Sequence, residues 1–130
     1  MAASKTYAEQ QNIKYAQKIN ELLKIFPEFC REYFNSLEYS KQPRTRLAYA
    51  RDLKTFFEFL IAEFPQYSNY QISDFTLHDI ESVTGQDISD YLRYMKVYDK
   101  DGTTVTNDER AAKRKLCSLR RFYGYYYRYE

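Results

Sequence analysis

Residues that break regular structure are rare in this sequence, and their scarcity constrains the fold more than any other feature. Only three glycines and three prolines interrupt the 130 residues, and both types usually mark the ends of helices and strands. Apolar residues recur at helical spacing in several long segments, and no strand pattern of useful length appears. The sequence therefore predicts one all-α domain, a compact bundle of four to six helices.

Five segments carry the helical pattern. Pro27 suits the first turn of the second helix, and Thr45 is placed to cap or open the third. Thr84, with Asp87 three residues later, resembles the capping box of a fourth helix. We expect helices at about residues 7–24, 27–37, 45–64, 85–98 and 107–128.

Turn residues precede the last predicted helix. Asp101 and Gly102 form a pair that signals a hairpin or a tight turn. Asn107 and Asp108 are both good N-caps, so the last helix should begin at one of them. A shorter turn is expected at residues 76–80.

The third and last predicted helices each have an apolar side, which we assign to the core, and a side opposite to it. On the third helix the core side carries Tyr49, Leu53, Phe56, Phe57, Leu60 and Phe64. On the last helix it carries Ala112, Leu116, Leu119, Phe122, Tyr123 and Tyr126. The opposite sides carry Arg44, Ala48, Arg51 and Thr55 on the third helix, and Arg110, Arg114, Ser118, Arg121 and Tyr125 on the last.

Charge is unevenly distributed, although the net charge is only +2. No Lys or Arg lies between Thr55 and Leu92, whereas six cations and no carboxylate lie between Arg110 and Arg121. Two basic segments that flank an acidic one can fold into a basic face and an acidic back, which is typical of polyanion binding. For any single cation, a solvated surface position is an equally good interpretation. The acidic residues of the middle segment are Glu58, Glu63, Asp74, Asp79, Glu81, Asp87 and Asp90.

Groups that could support catalysis or metal binding are few. Cys30 and Cys117 lack metal-ligand spacing and are expected to be reduced thiols, and the single histidine, His78, makes a zinc site improbable. The 15 tyrosines are interpreted as core and surface aromatics. We therefore assign no catalytic residue, no metal ligand and no cofactor. Because there is no signal peptide and no apolar run of the ~20 residues that span a bilayer, we expect a cytoplasmic protein without a membrane partner.

Two motifs occur in a fixed order within residues 40–130. The first is T-x-x-x-Y-x-x-D-L-x-x-F-x-x-F-L, formed by Thr45, Tyr49, Asp52, Leu53, Phe56, Phe59 and Leu60. The second loosely follows L-S-x-L-R-x-F-Y-x-Y, with Cys117 in the serine position, Ser118 displaced by one, and the remaining matches at Leu116, Leu119, Arg120, Phe122, Tyr123 and Tyr125 or Tyr126. This order resembles the core-binding, SAM-like domain of tyrosine recombinases, the phage-integrase and Xer-type family.

The resemblance implies a DNA-binding N-terminal domain of a site-specific recombinase or integrase, in which the helices near residues 45–64 and 107–128 cross the major groove of double-stranded DNA. Residues 1–39 would form a helical extension packed on the bundle, and residues 40–130 the core-binding domain. The family's catalytic domain, which carries the nucleophilic tyrosine, would be absent from this chain, so we expect no enzymatic activity of the chain itself. The predicted DNA-binding residues are Arg44, Thr45, Arg46, Arg51, Lys54, Arg110, Lys113, Arg114, Lys115, Ser118 and Arg121.

An alternative interpretation is a helical protein–protein interaction module without intrinsic DNA affinity. Residues 26–37 include Phe26, Phe29, Phe34 and Leu37, more apolar surface than one helix needs. In the resembled family, a helix in this place can pack on a neighbouring recombinase subunit. The same residues could instead close the bundle's own core, which is the interpretation that we favour.

Overall fold

The computed structural model describes residues 6–100 and 102–127, without the side chains of Asp99, Lys100 and Val105. The ends of the two predicted domains, residues 1–5 and 128–130, lie outside the described residues, as does Asp101 of the predicted turn. The described helices are α1 (Tyr7–Ile25), α2 (Cys30–Leu37), α3 (Pro43–Glu63), α4 (Leu77–Glu81), α5 (Gly85–Lys96) and α6 (Glu109–Tyr126). Two 3-10 turns (Pro65–Tyr67 and Ile72–Asp74) follow α3, and strands β1 (Val97–Lys100) and β2 (Thr103–Thr106) join α5 to α6. The predicted all-α bundle is confirmed.

Side-chain caps define the beginnings of four described helices, and at α1 the Glu9 amide donates to Thr6 Oγ1 at 3.1 Å. The predicted capping box of α5 is confirmed, since the Asp87 amide donates to Thr84 Oγ1 at 3.1 Å and the Thr84 amide donates to Asp87 Oδ2 at 2.9 Å. Thr76 and Asp79 make the same pair of hydrogen bonds at the start of α4. Asp108 caps α6 by accepting from the Ala111 amide at 2.9 Å. Each such cap satisfies an amide at the helix start that has no partner within the helix.

The acidic middle segment has a local structural explanation. Asp79 and Asp87 cap α4 and α5, and Asp74 accepts a hydrogen bond from the Gln71 amide at the start of a 3-10 turn. A carboxylate in the first turn of a helix is also favoured by the positive end of the helix dipole. Part of the charge asymmetry therefore comes from helix capping.

Two predicted helix starts were wrong. Thr45 lies inside α3, which begins at Pro43 because proline fits the first helical position, where its missing N–H is not needed. Pro27 precedes α2, which begins only at Cys30, and the intervening residues form a turn in which the Cys30 amide donates to the Pro27 carbonyl. Both errors shift a boundary and leave the helices themselves in place.

The β1–β2 hairpin is the part of the fold that periodicity did not predict. Its strands pair antiparallel, with Val97 opposite Thr106 and Lys100 opposite Thr103. Gly102 in the connecting loop has φ of 78°, a left-handed conformation that glycine adopts without steric cost. The glycine signal for a hairpin or tight turn is thus confirmed. Strands of four residues are too short to show an alternating pattern.

The core is built around α3, which packs against both α1 and α6. Four of its predicted core residues, Leu53, Phe56, Phe57 and Leu60, are buried, while Tyr49 and Phe64 are half-buried. Burial extends further than predicted because a helix with several neighbours is covered on more than one side. The additional buried residues of α3 are Leu47, Ala50, Asp52 and Phe59.

Aromatic rings join α2 to α6. The Tyr33 ring lies edge-on to Phe122 with ring centroids 5.4 Å apart, and Phe29 lies edge-on to Tyr126 at 5.6 Å. The Tyr126 hydroxyl donates to the Phe29 carbonyl oxygen at 2.6 Å. Edge-on ring pairs add specific attraction to the burial of their apolar surface. The helix pair is therefore held by both packing and a hydrogen bond.

Burial of ionisable groups predicts that alkaline pH destabilises this fold. Burial raises the pKa of the Cys30 thiol and of the Tyr91 hydroxyl, so both stay protonated in the folded chain while they ionise in the unfolded chain. The stability that these two groups contribute is fully present below their pKa values in the unfolded chain, which are 9.0 for Cys30 and 10.0 for Tyr91. This contribution is lost as the pH rises above those values. Each group that ionises only in the unfolded chain should lower the free energy of unfolding by about 1.4 kcal/mol per pH unit. Urea unfolding between pH 8 and about pH 11 measures this slope.

Tyr91→Phe is the control for this prediction. The Tyr91 hydroxyl is buried without a hydrogen-bond partner among the described residues. Its removal should therefore leave stability at pH 7 unchanged or slightly higher, because a polar group without a partner is destabilising when buried. The alkaline slope should become shallower in this variant. An identical slope in both proteins would contradict the assignment to Tyr91.

Candidate nucleic-acid interface

A buried carboxylate connects α3 to α6. Asp52 of α3 is 3% exposed, and its Oδ1 accepts a hydrogen bond from Lys115 Nζ at 3.1 Å. Its Oδ2 accepts from Nη1 of the Arg114 guanidinium. We call these three residues the Asp52 cluster. Both of its cations come from α6, so the cluster links the two helices that carry the basic segments.

The two cations of the Asp52 cluster differ in their exposure to solvent. The Lys115 side chain is 9% exposed, whereas that of Arg114 is 45% exposed. Lys115 therefore balances the charge of the buried carboxylate, which would be costly without a partner. A guanidinium has five N–H donors, so Arg114 keeps donors for a further acceptor after bonding to Asp52. The cluster carries one negative and two positive charges, which leaves a positive charge at the surface.

Exposed cations lie in a row along one side of α6. Arg110, Arg114 and Arg121 are all exposed and are separated by four and seven residues, which places them on one side of the helix. Cys117, also exposed, lies in the same row. Arg121 Nη2 donates to Ser40 Oγ at 3.3 Å, so the end of the row meets the connection before α3. We call Arg110, Arg114, Cys117 and Arg121 the α6 row.

The α3 side of the interface contributes fewer exposed cations. Arg51 is exposed and directly precedes Asp52 in the sequence. Thr55 Oγ1 donates to the backbone carbonyl oxygen of Arg51 at 3.0 Å. Arg44 is exposed near the start of the helix. Arg46 is mostly covered, with Nη1 3.9 Å from Glu38 Oε1 and a side chain that is 13% exposed. Arg51 and Arg44 are therefore the α3 cations most available to a ligand.

The structure divides the predicted DNA-binding residues by exposure. Lys115 and Ser118 are buried, and placing Ser118 on the outer side of the last helix was wrong. Thr45, Arg46 and Lys54 are half-buried. The exposed ones are Arg44, Arg51, Arg110, Lys113, Arg114 and Arg121.

Neighbouring helices explain the error on α6. Its buried residues are Lys115, Ser118, Leu119 and Phe122, a helical stripe that is rotated from the predicted one. The predicted stripe followed the largest apolar side chains, several of which are only half-buried against the core. A small serine fits where helices pack closely, and Lys115 is buried because Asp52 lies opposite it. Neither cause is visible in the sequence of one helix.

The predicted subunit-contact segment, residues 26–37, has little free apolar surface. Phe26, Cys30, Tyr33, Phe34 and Leu37 are all buried in the core of this chain. The exposed positions of the segment are mainly polar, among them Glu28, Arg31, Glu32 and Asn35. The apolar residues therefore close the bundle's own core, and a contact with another recombinase subunit stays a prediction.

The described residues contain neither a cluster of metal ligands nor a helix suited to a membrane. No group of three or more His, Cys, Asp or Glu side chains there could hold a metal ion. None of the described helices is both long enough and apolar enough to cross a membrane.

Most of the chain is similar to tyrosine recombinase XerC of Caldanaerobacter subterraneus subsp. tengcongensis, to which it is 34% identical over 110 residues that cover 80% of this chain. This similarity supports a relationship to the tyrosine recombinase family. The match covers 29% of the recombinase, so the chain spans less than a third of that relative's length. No family model matches the sequence, and no solved structure matches it at a significant level.

The Asp52 cluster gives a prediction about stability. Asp52→Asn should lower the free energy of unfolding by about 3 kcal/mol, because it leaves Lys115 buried without a negative partner. The double variant Asp52→Asn/Lys115→Met should recover most of that loss, because replacing both partners removes the unpaired charge. Urea unfolding of the wild type and the two variants measures both effects. Equal stability of the single and double variants would show that Lys115 does not depend on Asp52.

Proposed function

We propose that this chain is the DNA-binding, core-binding domain of a site-specific tyrosine recombinase or integrase, which grips recombination-site DNA through α3 and α6. The observation that carries the proposal is the α6 row with its three exposed arginines, on a helix that the Asp52 cluster joins to α3. The similarity to a tyrosine recombinase supports it independently. A role on chromosomal or phage DNA would place the protein in the cytoplasm.

The proposal assigns DNA binding to this chain and cleavage to another part of the recombinase. The described residues include no metal cluster, and their lone histidine, His78, lies on the short helix α4. Buried tyrosines such as Tyr33 and Tyr91 have a raised pKa because of desolvation, which opposes formation of a phenolate nucleophile. The proposed division into residues 1–39, an extension, and 40–130, the core-binding domain, goes with this assignment.

Arginine suits this interface for a geometric reason. Its planar guanidinium can donate two parallel hydrogen bonds to a phosphate or to the major-groove acceptors of guanine. Contacts to phosphate supply most of the affinity by releasing counterions, and contacts to base edges supply specificity. Arg114 would bind DNA with the donors that Asp52 leaves free. Lys115, which is buried, would act only through the Asp52 cluster.

Salt dependence of DNA binding is the first test. Fluorescence anisotropy with a short duplex should show affinity that falls steeply as salt rises. Arg110→Ala/Arg121→Ala should weaken binding and reduce the slope of log K against log salt by about 0.9 for each lost phosphate contact. Lys14→Ala/Lys18→Ala removes the same charge from exposed positions of α1 and is the matched control.

Equal losses in the two double variants would mean that binding follows net charge alone, and would contradict a specific role of the α6 row. A wild-type protein that fails to bind duplex DNA at low salt would overturn the proposed function. It would favour the alternative, a protein-interaction module without DNA affinity.

Cys117 offers a second test because it lies within the α6 row. It is exposed, whereas Cys30 is buried and burial raises the pKa of its thiol, so only Cys117 should react quickly with a maleimide in the folded protein. Saturating duplex DNA should slow this labelling several-fold, because DNA covers the row. Cys117→Ser should abolish the fast labelling and serves as the control for the site of modification. Labelling that proceeds at the same rate with saturating DNA would place the bound DNA elsewhere.

A further inference from the structure

A cavity of about 410 Å³ lies between α2 and α6, at the end of the α6 row. Tyr33 and Ser36 of α2 line one side, Ser40 lies in the connection that follows, and Arg121 and Gly124 of α6 line the other side. This cavity is distinct from the Asp52 cluster, which lies where α3 meets α6.

The Tyr33 hydroxyl is the first sign that the cavity has a ligand. Tyr33 is 2% exposed, and its hydroxyl is buried without a hydrogen-bond partner among the described residues. Almost all buried polar groups in folded proteins have a partner, so an exception calls for an explanation. The neighbouring Ser36 hydroxyl donates instead to the Tyr33 carbonyl oxygen at 2.6 Å, and it makes no hydrogen bond with the Tyr33 hydroxyl.

Hydrogen-bond donors converge at this cavity. The positive charge of Arg121 is close enough to Tyr33 to oppose the increase in the pKa of its hydroxyl that burial causes. Arg121 also donates to Ser40 Oγ, which leaves the Ser40 O–H free to donate. A guanidinium has no acceptor, and no carboxylate of the described residues forms an ion pair with Arg121. The cavity thus brings together three groups that can donate hydrogen bonds, the Arg121 guanidinium and the Tyr33 and Ser40 hydroxyls, and one positive charge.

We propose that this cavity binds a phosphate group, which accepts hydrogen bonds from the Arg121 guanidinium and from the Tyr33 and Ser40 hydroxyls. A phosphate oxygen can reach the buried Tyr33 hydroxyl only when a neighbouring side chain moves. Arg121 lines the cavity with an exposed side chain held by one hydrogen bond to Ser40, so it is a side chain that can move. Because Arg121 also belongs to the α6 row, the phosphate can be one of the DNA backbone or a free phosphate ion. Binding of a DNA backbone phosphate rests on the proposed function, whereas binding of a free phosphate ion does not depend on it.

The phosphate ion alone provides the first experiment. At low millimolar concentrations, where the general stabilising effect of phosphate on folded proteins is small, the melting temperature of the wild type should be higher in sodium phosphate than in sodium chloride at equal ionic strength, because a ligand that binds only the folded state stabilises it. Tyr33→Phe should abolish this difference, while its melting temperature in chloride stays equal or rises, because the hydroxyl without a partner is gone. No difference between the two salts for the wild type, or a full phosphate effect in Tyr33→Phe, would overturn the proposal.

Gly124 allows a variant that blocks the cavity without removing a donor. A Cβ built at Gly124 meets no atom within 4 Å, so a side chain there projects into open space at the edge of the cavity. Gly124→Leu should keep the fold and lose the phosphate effect, whereas Gly124→Ala should keep both. A phosphate effect that survives in a folded Gly124→Leu protein would place the ion outside this cavity.

Duplex binding by two variants distinguishes a DNA backbone phosphate from a free phosphate ion as the ligand of the cavity. Tyr33→Phe should weaken duplex binding about fivefold, the equivalent of one hydrogen bond. Because the lost group is neutral, the salt slope should be unchanged, whereas Arg121→Ala should reduce it by about 0.9. If Tyr33→Phe binds the duplex as tightly as the wild type does, the cavity does not bind a phosphate of the DNA backbone. If the wild type does not bind duplex at all, the proposed function fails, and the melting experiment still decides whether the cavity binds phosphate.

Discussion

The buried carboxylate of Asp52 is the interaction on which the arrangement of α3 and α6 depends. A charged group in the core is tolerated only when partners neutralise it there, and both of its partners come from α6. Any rotation or sliding of α6 that separated Lys115 from Asp52 would leave charges unpaired in a medium of low polarity. The orientation of α6, and with it the side that carries the α6 row, is therefore coupled to a single residue of α3.

The same interaction gives a physical reason for one position of the motif that resembles the tyrosine recombinases. Asp52 occupies the acidic position of that motif, between Tyr49 and Leu53. Leu53 is buried among apolar residues, as expected for a core position. Asp52 is equally buried, and it serves as an acceptor for α6 rather than as a surface charge. The motif thus describes how two helices are joined as well as how one is packed.

Helix α6 packs against several other helices, and it contributes residues to both proposed sites, the α6 row and the phosphate cavity. Phe122 packs against Tyr33 of α2, Lys115 bonds to Asp52 of α3, and Arg121 belongs both to the α6 row and to the lining of the cavity beside α2. Helix α6 therefore holds the arginines proposed to contact DNA, and one of them, Arg121, is also a donor of the proposed phosphate site. Their relative positions follow from packing in the core and need no ligand to form.

The sequence by itself determined the helical class, the cap at Thr84 and the two basic segments, and it narrowed the cap of the last helix to Asn107 or Asp108, because these depend on periodicity and on contacts within a few residues. It did not reveal that Lys115 and Ser118 are buried, because Lys115 finds its partner 63 residues away in α3. A helical wheel ranks the sides of one helix by apolar content and contains no information about its neighbours. Only the tertiary structure decided which cations face solvent, since the packing of α6 against α2, α3 and α5 fixes its rotation.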